Sequence, residues 1–151
     1  MRVRVPLSAP LYKVTMKILI LEDDPERQQA FRENNVGVDV VIVDTTAEAI
    51  RLLQEQCWDI AFLDHDLGGQ IMVASGPGTG YEVATWLEEH PKSMPDIVIV
   101  HSFNPGGREK MCAALPKALA IPGVWGVPDG AQAVWTAYTQ LIARKDFQAG
   151  G

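Results

Sequence analysis

Cysteine is scarce in this 151-residue chain, which has only Cys57 and Cys112. Neither stands in a Cys-x-x-Cys pair or at a Cys/His ligand spacing, so zinc is not indicated. Both read as buried, reduced thiols of a cytoplasmic protein. Basic residues are also few, 13 Lys and Arg against 19 Asp and Glu, for a net charge of −6. That excludes the broad basic face that duplex nucleic acid requires. It leaves room for a small phosphate-containing ligand held by a metal ion and a few donors. No apolar stretch in residues 1–15 is long enough for a signal peptide or a membrane span. No internal repeat is present. The glycine-rich stretch Ser75-Gly76-Pro77-Gly78-Thr79-Gly80 lacks the lysine of a nucleotide-binding P-loop and does not directly follow a strand. It reads as a flexible flap or a linker.

What is present suits one domain. The length is that of a single fold, and 47% hydrophobic residues supply a core without staples. Residues 1–15 are either a poorly ordered extension or a segment ahead of a natural start at Met16. Residues 16–145 read as the domain and 146–151 as a C-terminal tail. Apolar runs predict strands over 17–22, 38–43, 59–63 and 96–100, with a short fifth over Gly123–Val127. Between them lie predicted helices. Asp24 caps the first and Pro25 opens it; Thr45 or Thr46 caps the second over Ala47–Gln56. Two more cover Tyr81–Glu89 and the segment from Pro105 to Leu115. The last covers Gly130–Ala143, with Ala133, Val134, Ala137, Tyr138, Leu141 and Ile142 facing in. The patch Ile71-Met72-Val73 reads as a short strand or a flap.

The alternation of strands and helices predicts a doubly wound α/β sandwich. Ligands of such sheets bind beyond the carboxyl ends of the strands. Two acidic clusters fall there: Glu22-Asp23-Asp24 after the first strand and Asp64-His65-Asp66 after the third. Like charges brought together are unfavourable unless a cation neutralises them. Asp23, Asp24 and Asp64 are therefore candidate ligands for Mg²⁺ or Mn²⁺, with Glu22 either turned inward or an added ligand. The competing reading is helix capping by Asp24 plus solvated charge. His65 and His101 are candidate proton donors and acceptors, since imidazole titrates near neutrality. Asp66 is placed to orient His65. His101 has an equal claim to be a core histidine, because it ends an apolar strand beside Ser102. After the fourth strand, Ser102, Asn104, Gly106, Gly107 and Arg108 form a candidate phosphate site at a helix start. Its plainer reading is a βα turn capped by Asn104. Trp125 stands near the rim. His90 closes a helix and is assigned no chemistry.

Over residues 16–144 the pattern resembles the receiver domain of two-component response regulators. Asp23-Asp24 match its acidic pair, Asp64 its phosphoacceptor and Ser102 its hydroxyl residue. The resemblance implies a flavodoxin-like fold with a five-stranded parallel sheet of order 2-1-3-4-5 and a magnesium pocket. A receiver lysine is expected at the end of the fifth strand before a proline, and Val127 stands there before Pro128. That substitution counts against phosphorelay signalling. Two motifs resemble a narrower family, the cyclic-phosphate processing receiver-like domains: Leu63-Asp64-His65-Asp66-Leu67-Gly68 and His101-Ser102-Phe103-Asn104-Pro105-Gly106-Gly107. This narrower resemblance implies a metal-dependent phosphoesterase or binder of cyclic or nucleotide-derived phosphates. Catalysis would fall to His65, His101, Asp66 and Ser102. The alternative is a stand-alone or degenerate receiver acting in signalling or partner binding.

Overall fold

The computed structural model describes the backbone of residues 16–150 and the side chains of 16–145. The segment 1–15, read above as an extension, lies outside the described residues. Five parallel strands, β1 (Lys17–Leu21), β2 (Asp39–Val43), β3 (Ile60–Leu63), β4 (Ile97–Val100) and β5 (Leu119–Ala120), form one sheet of order β2-β1-β3-β4-β5. The helices are α1 (Pro25–Glu33), α2 (Thr46–Glu55), α3 (Gly80–Glu89), α4 (Pro105–Ala114) and α5 (Gly130–Gly150). This is the predicted flavodoxin-like sandwich.

Strand alternation divides the core. Leu19, Leu21, Ala61, Leu63, Val98 and Val100 face α2, α3 and α4, where Leu53, Val83, Leu87 and Met111 meet them. Ile18, Ile20, Ile60, Phe62, Ile97 and Ile99 face α1 and α5, against Phe31, Ala131 and Trp135. Both faces of the central strands are buried, so these strands read as unbroken apolar runs. Each such side chain taken from water stabilises the fold by about 1.5–3 kcal/mol. Local signals start the helices as expected: the Asp24 side chain accepts from the Glu26 and Arg27 amides, and Thr45 caps α2.

Three expectations need correction. The fifth strand is Leu119–Ala120, and the Gly123–Val127 segment instead holds a 3-10 turn over Val124–Gly126, entered through Gly123 at φ 80°. The position that ends β5 is accordingly Ile121-Pro122, where the Ile121 amide donates to the Val100 carbonyl. An aliphatic residue, Ile121 rather than Val127, thus stands where receivers carry their lysine. Helix α5 turns only part of the expected face inward: Val134 and Tyr138 pack against the core beside the buried Ala131 and Trp135, whereas Ala133, Ala137 and Leu141 are exposed. The helix also runs into the segment assigned to a tail. Cys57 is exposed and Cys112 half-buried, both free, so neither is the fully buried thiol expected. Of the two readings for Ile71-Met72-Val73, strand or flap, the segment takes the non-strand one, with Met72 at φ 55° in a loop. Among the described residues no helix is long and apolar enough to cross a membrane.

Candidate metal and phosphate site

The pairing of β1, β3 and β4 continues one residue past the strand ends. The Asp64 amide donates to the Leu21 carbonyl at 3.1 Å, and that of His101 to the Leu63 carbonyl at 3.0 Å. Leu21, Leu63 and Val100 are in register, so Glu22, Asp64 and His101 form the next row. By alternation all three point to the α1 side, like Ile20, Phe62 and Ile99. His101 does so edge-on to Phe31, with ring centroids 5.2 Å apart. All three are buried. One ligand atom from each lies within 4.8 Å of the others. His101 Nε2 is 3.1 Å from Glu22 Oε1, and His101 Nδ1 is buried without a hydrogen-bond partner.

Burial sets the protonation of the row. It pushes Asp64 up to about 6, with Glu22 adding to the rise and His101 opposing it. Burial also raises Glu22, against a hydrogen bond from the Asp24 amide and the charge of Arg27. His101 is held down to about 4 by burial, against the pull of Asp64. Low dielectric disfavours every charged form here, which is the condition a bound cation would reverse.

The other two predicted ligands are engaged in hydrogen bonds outside the row. Asp24 spends its side chain on the α1 cap. Asp23 Oδ2 accepts from the Gly69 amide at 2.8 Å, tying the loop after β3 to the loop after β1. Neither joins the grouped row. Glu22, the least certain acid on sequence grounds, is central to it.

His65 points to the opposite side of the sheet, under α4. Its ring lies against Gly107, where an added Cβ would stand 2.6 Å from Cδ2 and 2.7 Å from Nδ1. Only glycine permits that approach. Nδ1 meets Asp66 Oδ1 at 2.7 Å and Nε2 meets Ser75 Oγ at 2.9 Å. Asp66 is held below the usual carboxylate range. Burial works against this, but hydrogen bonds from His65, Asn104 and the Met72 amide outweigh it. Asp66 thus orients His65 as expected, while His65 and His101 occupy different sides of the sheet edge. The loop after β3 is fastened, not free. Asn104 Nδ2 reaches Val73 O at 2.9 Å, and the Gly78 amide reaches Glu82 Oε1 at 2.7 Å. At its end Gly80 packs so tightly on the Asp64 backbone carbonyl that a Cβ could not be accommodated.

The expected phosphate cradle is filled from within. Asn104 Oδ1 caps the Gly107 amide at 3.1 Å, and Ser102 Oγ accepts from the Asn104 amide at 3.0 Å. Arg108 Nη1 donates to the Ser102 carbonyl at 2.9 Å. Gly106 is exposed beside them.

The Cyclic-phosphate processing Receiver domain family matches residues 17–117, more than half of the chain. The chain belongs to this family. Among solved structures it is similar to the BeF3-activated DrrB receiver domain, at TM-score 0.61 and 16% identity, covering 83% of this chain and 98% of that one. It is also similar to HP1043, an orphan response regulator of H. pylori, at TM-score 0.58 and 14% identity, covering 82% and 96%. A third is the Mn²⁺-bound form of response regulator Rcp1, at TM-score 0.56 and 17% identity, covering 71% and 80%. At such identities the likeness shows the fold alone. No curated protein matches the chain.

Two residues of this receiver domain escaped the sequence reading. Arg27, in the first turn of α1, brings Nη1 to 3.9 Å from both Glu22 Oε1 and Asp64 Oδ2. A cation in a first turn opposes the helix dipole, and that mismatch was the available signal. Ser75 carried no signal, because only the fold brings it to His65.

Proposed function

We propose that this domain is a divalent-metal-dependent phosphoesterase acting on cyclic phosphates or nucleotide-derived phosphate esters. The observation that carries the reading is the buried row of Glu22, Asp64 and His101, whose donor atoms lie within 4.8 Å of one another. Two carboxylates and an imidazole fit a first-row divalent ion, and the imidazole favours Mn²⁺ over Mg²⁺. The Mn²⁺-bound form of Rcp1 is a precedent for such an ion on this fold. When bound, the ion would polarise a phosphoryl oxygen as a Lewis acid. The chain's own groups do the rest. Glu22, Asp64 and His101 would hold the ion, and Glu22 orients His101 through their 3.1 Å contact. Asp66 and Ser75 hold the two His65 nitrogens on the other side of the sheet edge, where the ring packs against Gly107 and fixes the start of α4. Ring opening of a cyclic phosphate consumes one water, whose oxygen bonds phosphorus and whose proton passes to the leaving alkoxide.

The test is incubation with 2′,3′- and 3′,5′-cyclic nucleotides in Mn²⁺. Turnover that disappears in Asp64→Asn and His101→Ala is expected; turnover equal to those variants would sink the reading. A second reading is favoured by the position of Asp64 at the end of β3 in a receiver fold: phosphorylation of Asp64 in signalling. Labelling by acetyl phosphate that is lost in Asp64→Asn would support it. The aliphatic Ile121 beside the row weighs against it.

A further inference from the structure

Resting on the metal-site reading above, we infer that Arg27, rather than the start of α4, receives the phosphate of the ligand. At the start of α4 the Gly107 amide is capped by Asn104, the Ser102 hydroxyl oxygen accepts from the Asn104 amide and keeps only its own O–H to give, and one Arg108 nitrogen is turned back onto the Ser102 carbonyl. The bulk of the His65 ring sits directly against Gly107. An anion entering there would have to displace satisfied hydrogen bonds from a buried network, which is costly.

Arg27 is differently placed. Its guanidinium stands at the mouth of the row, 3.9 Å from one oxygen of Glu22 and one of Asp64. Both separations exceed hydrogen-bond length, so its charge is present without its donors being spent on these acids. Two aromatic rings steady it. The guanidinium carbon lies 5.4 Å from the Phe103 centroid and 5.7 Å from that of Trp125, and those rings meet edge to face at 6.4 Å. The Arg27 side chain is 31% exposed and Phe103 is exposed beside it, so solvent reaches the cation. A planar fork held over aromatic faces is suited to two parallel hydrogen bonds with phosphate oxygens.

The two acids and Arg27 then act together. Without an ion, the guanidinium partly offsets Glu22 and Asp64. An ion on those carboxylates would neutralise them and leave the guanidinium free for the negative charge of an arriving phosphate. The ligand class is therefore a phosphate ester whose oxygens Arg27 would hold.

The experiment is titration calorimetry of the full chain with Mn²⁺, then with phenyl phosphate in saturating Mn²⁺. Arg27→Gln should bind Mn²⁺ no more weakly than the unsubstituted chain and bind phenyl phosphate about tenfold or more weakly, the scale of a lost charge-assisted pair. Arg108→Gln should change phosphate affinity by no more than about twofold. Arg27→Lys keeps the charge but not the fork, and a loss of about two- to fivefold is expected. Should Arg27→Gln fail to fold, Arg27→Lys decides, and an unchanged affinity would overturn the inference. Phosphate affinity lost in Arg108→Gln but retained in Arg27→Gln would also overturn it while leaving the metal site standing. Failure of the unsubstituted chain to bind Mn²⁺ would remove both readings.

Discussion

Gly107 lies so close beneath the His65 imidazole that a methyl group there would meet ring atoms at 2.6 and 2.7 Å. The ring cannot swing aside, because Asp66 and Ser75 hold its two nitrogens. Gly107→Ala should therefore destabilise the domain despite alanine's better helix propensity. Overpacking costs about 1–3 kcal/mol, offset by up to about 1 kcal/mol of propensity. A net loss of about 1–2 kcal/mol should appear in urea unfolding as a lower midpoint with an unchanged slope. An unchanged midpoint would mean that His65 is not fixed.

Asn104 joins three elements: its Oδ1 caps α4, and its Nδ2 reaches Asp66 on one side and the Val73 carbonyl on the other. Asn104→Ala removes the cap and both loop contacts, for a loss of about 2–4 kcal/mol. Asn104→Asp keeps the cap but sets a second carboxylate against Asp66. Hydrogen exchange separates the two effects. In Asn104→Asp the amides of Gly69 and Met72, both bonded to carboxylates, should lose protection while those of β1 keep theirs. Equal protection in that variant would show that the loop is fastened without Asn104.

The sheet was legible because β1, β3 and β4 are apolar on both faces, which leaves few alternatives. β5 was not. Its two residues are exposed and carry little pattern, whereas Trp125 and its apolar neighbours mimic a strand while forming a 3-10 turn. In the site, acidic strand ends were readable, but which carboxylate turns inward depends on the register of three strands. Alternation from Ile20 to Glu22 places Glu22 on the α1 face, where Phe31 and Arg27 stand against the row. The phosphate cradle stayed open to two readings for a related reason. Asn104 and Ser102 are good donors and acceptors for a ligand, and equally good ones for their own turn.

Asp24 and Glu22 should respond differently to Mn²⁺. Asparagine caps a helix about as well as aspartate, so Asp24→Asn should keep both stability and the response to the ion. Glu22→Gln and Asp64→Asn should lose the response. At 100 times Kd a bound ion adds about 2.7 kcal/mol, which for a domain of this size raises Tm by several degrees. Thermal scans with and without Mn²⁺ measure it. A response lost in Asp24→Asn and kept in Glu22→Gln would return the site to Asp23, Asp24 and Asp64.

Replacing His101 should tilt the acid response of the ion-free domain toward greater stability at low pH. In the folded chain Asp64 sits near 6 and Glu22 is also raised, so protonating them favours the folded state. Their contribution is greatest below the ordinary carboxylate range and is lost as pH rises through about 6. His101 acts in the opposite sense. Its pKa is depressed to about 4, so its contribution is present above the ordinary imidazole range and is lost as pH falls through about 4. Between roughly pH 4 and 6 the two slopes oppose one another, with Arg27 facing both acids as a fixed charge. His101→Gln removes the imidazole and leaves the carboxylates. Its stability, measured by urea unfolding in chelator across this range, should rise as pH falls from 6 to 4 relative to that of the unsubstituted chain. A relative decline on acidification would mean that the Asp64 carboxyl stays ionised in the fold, with Arg27 and not His101 as its partner.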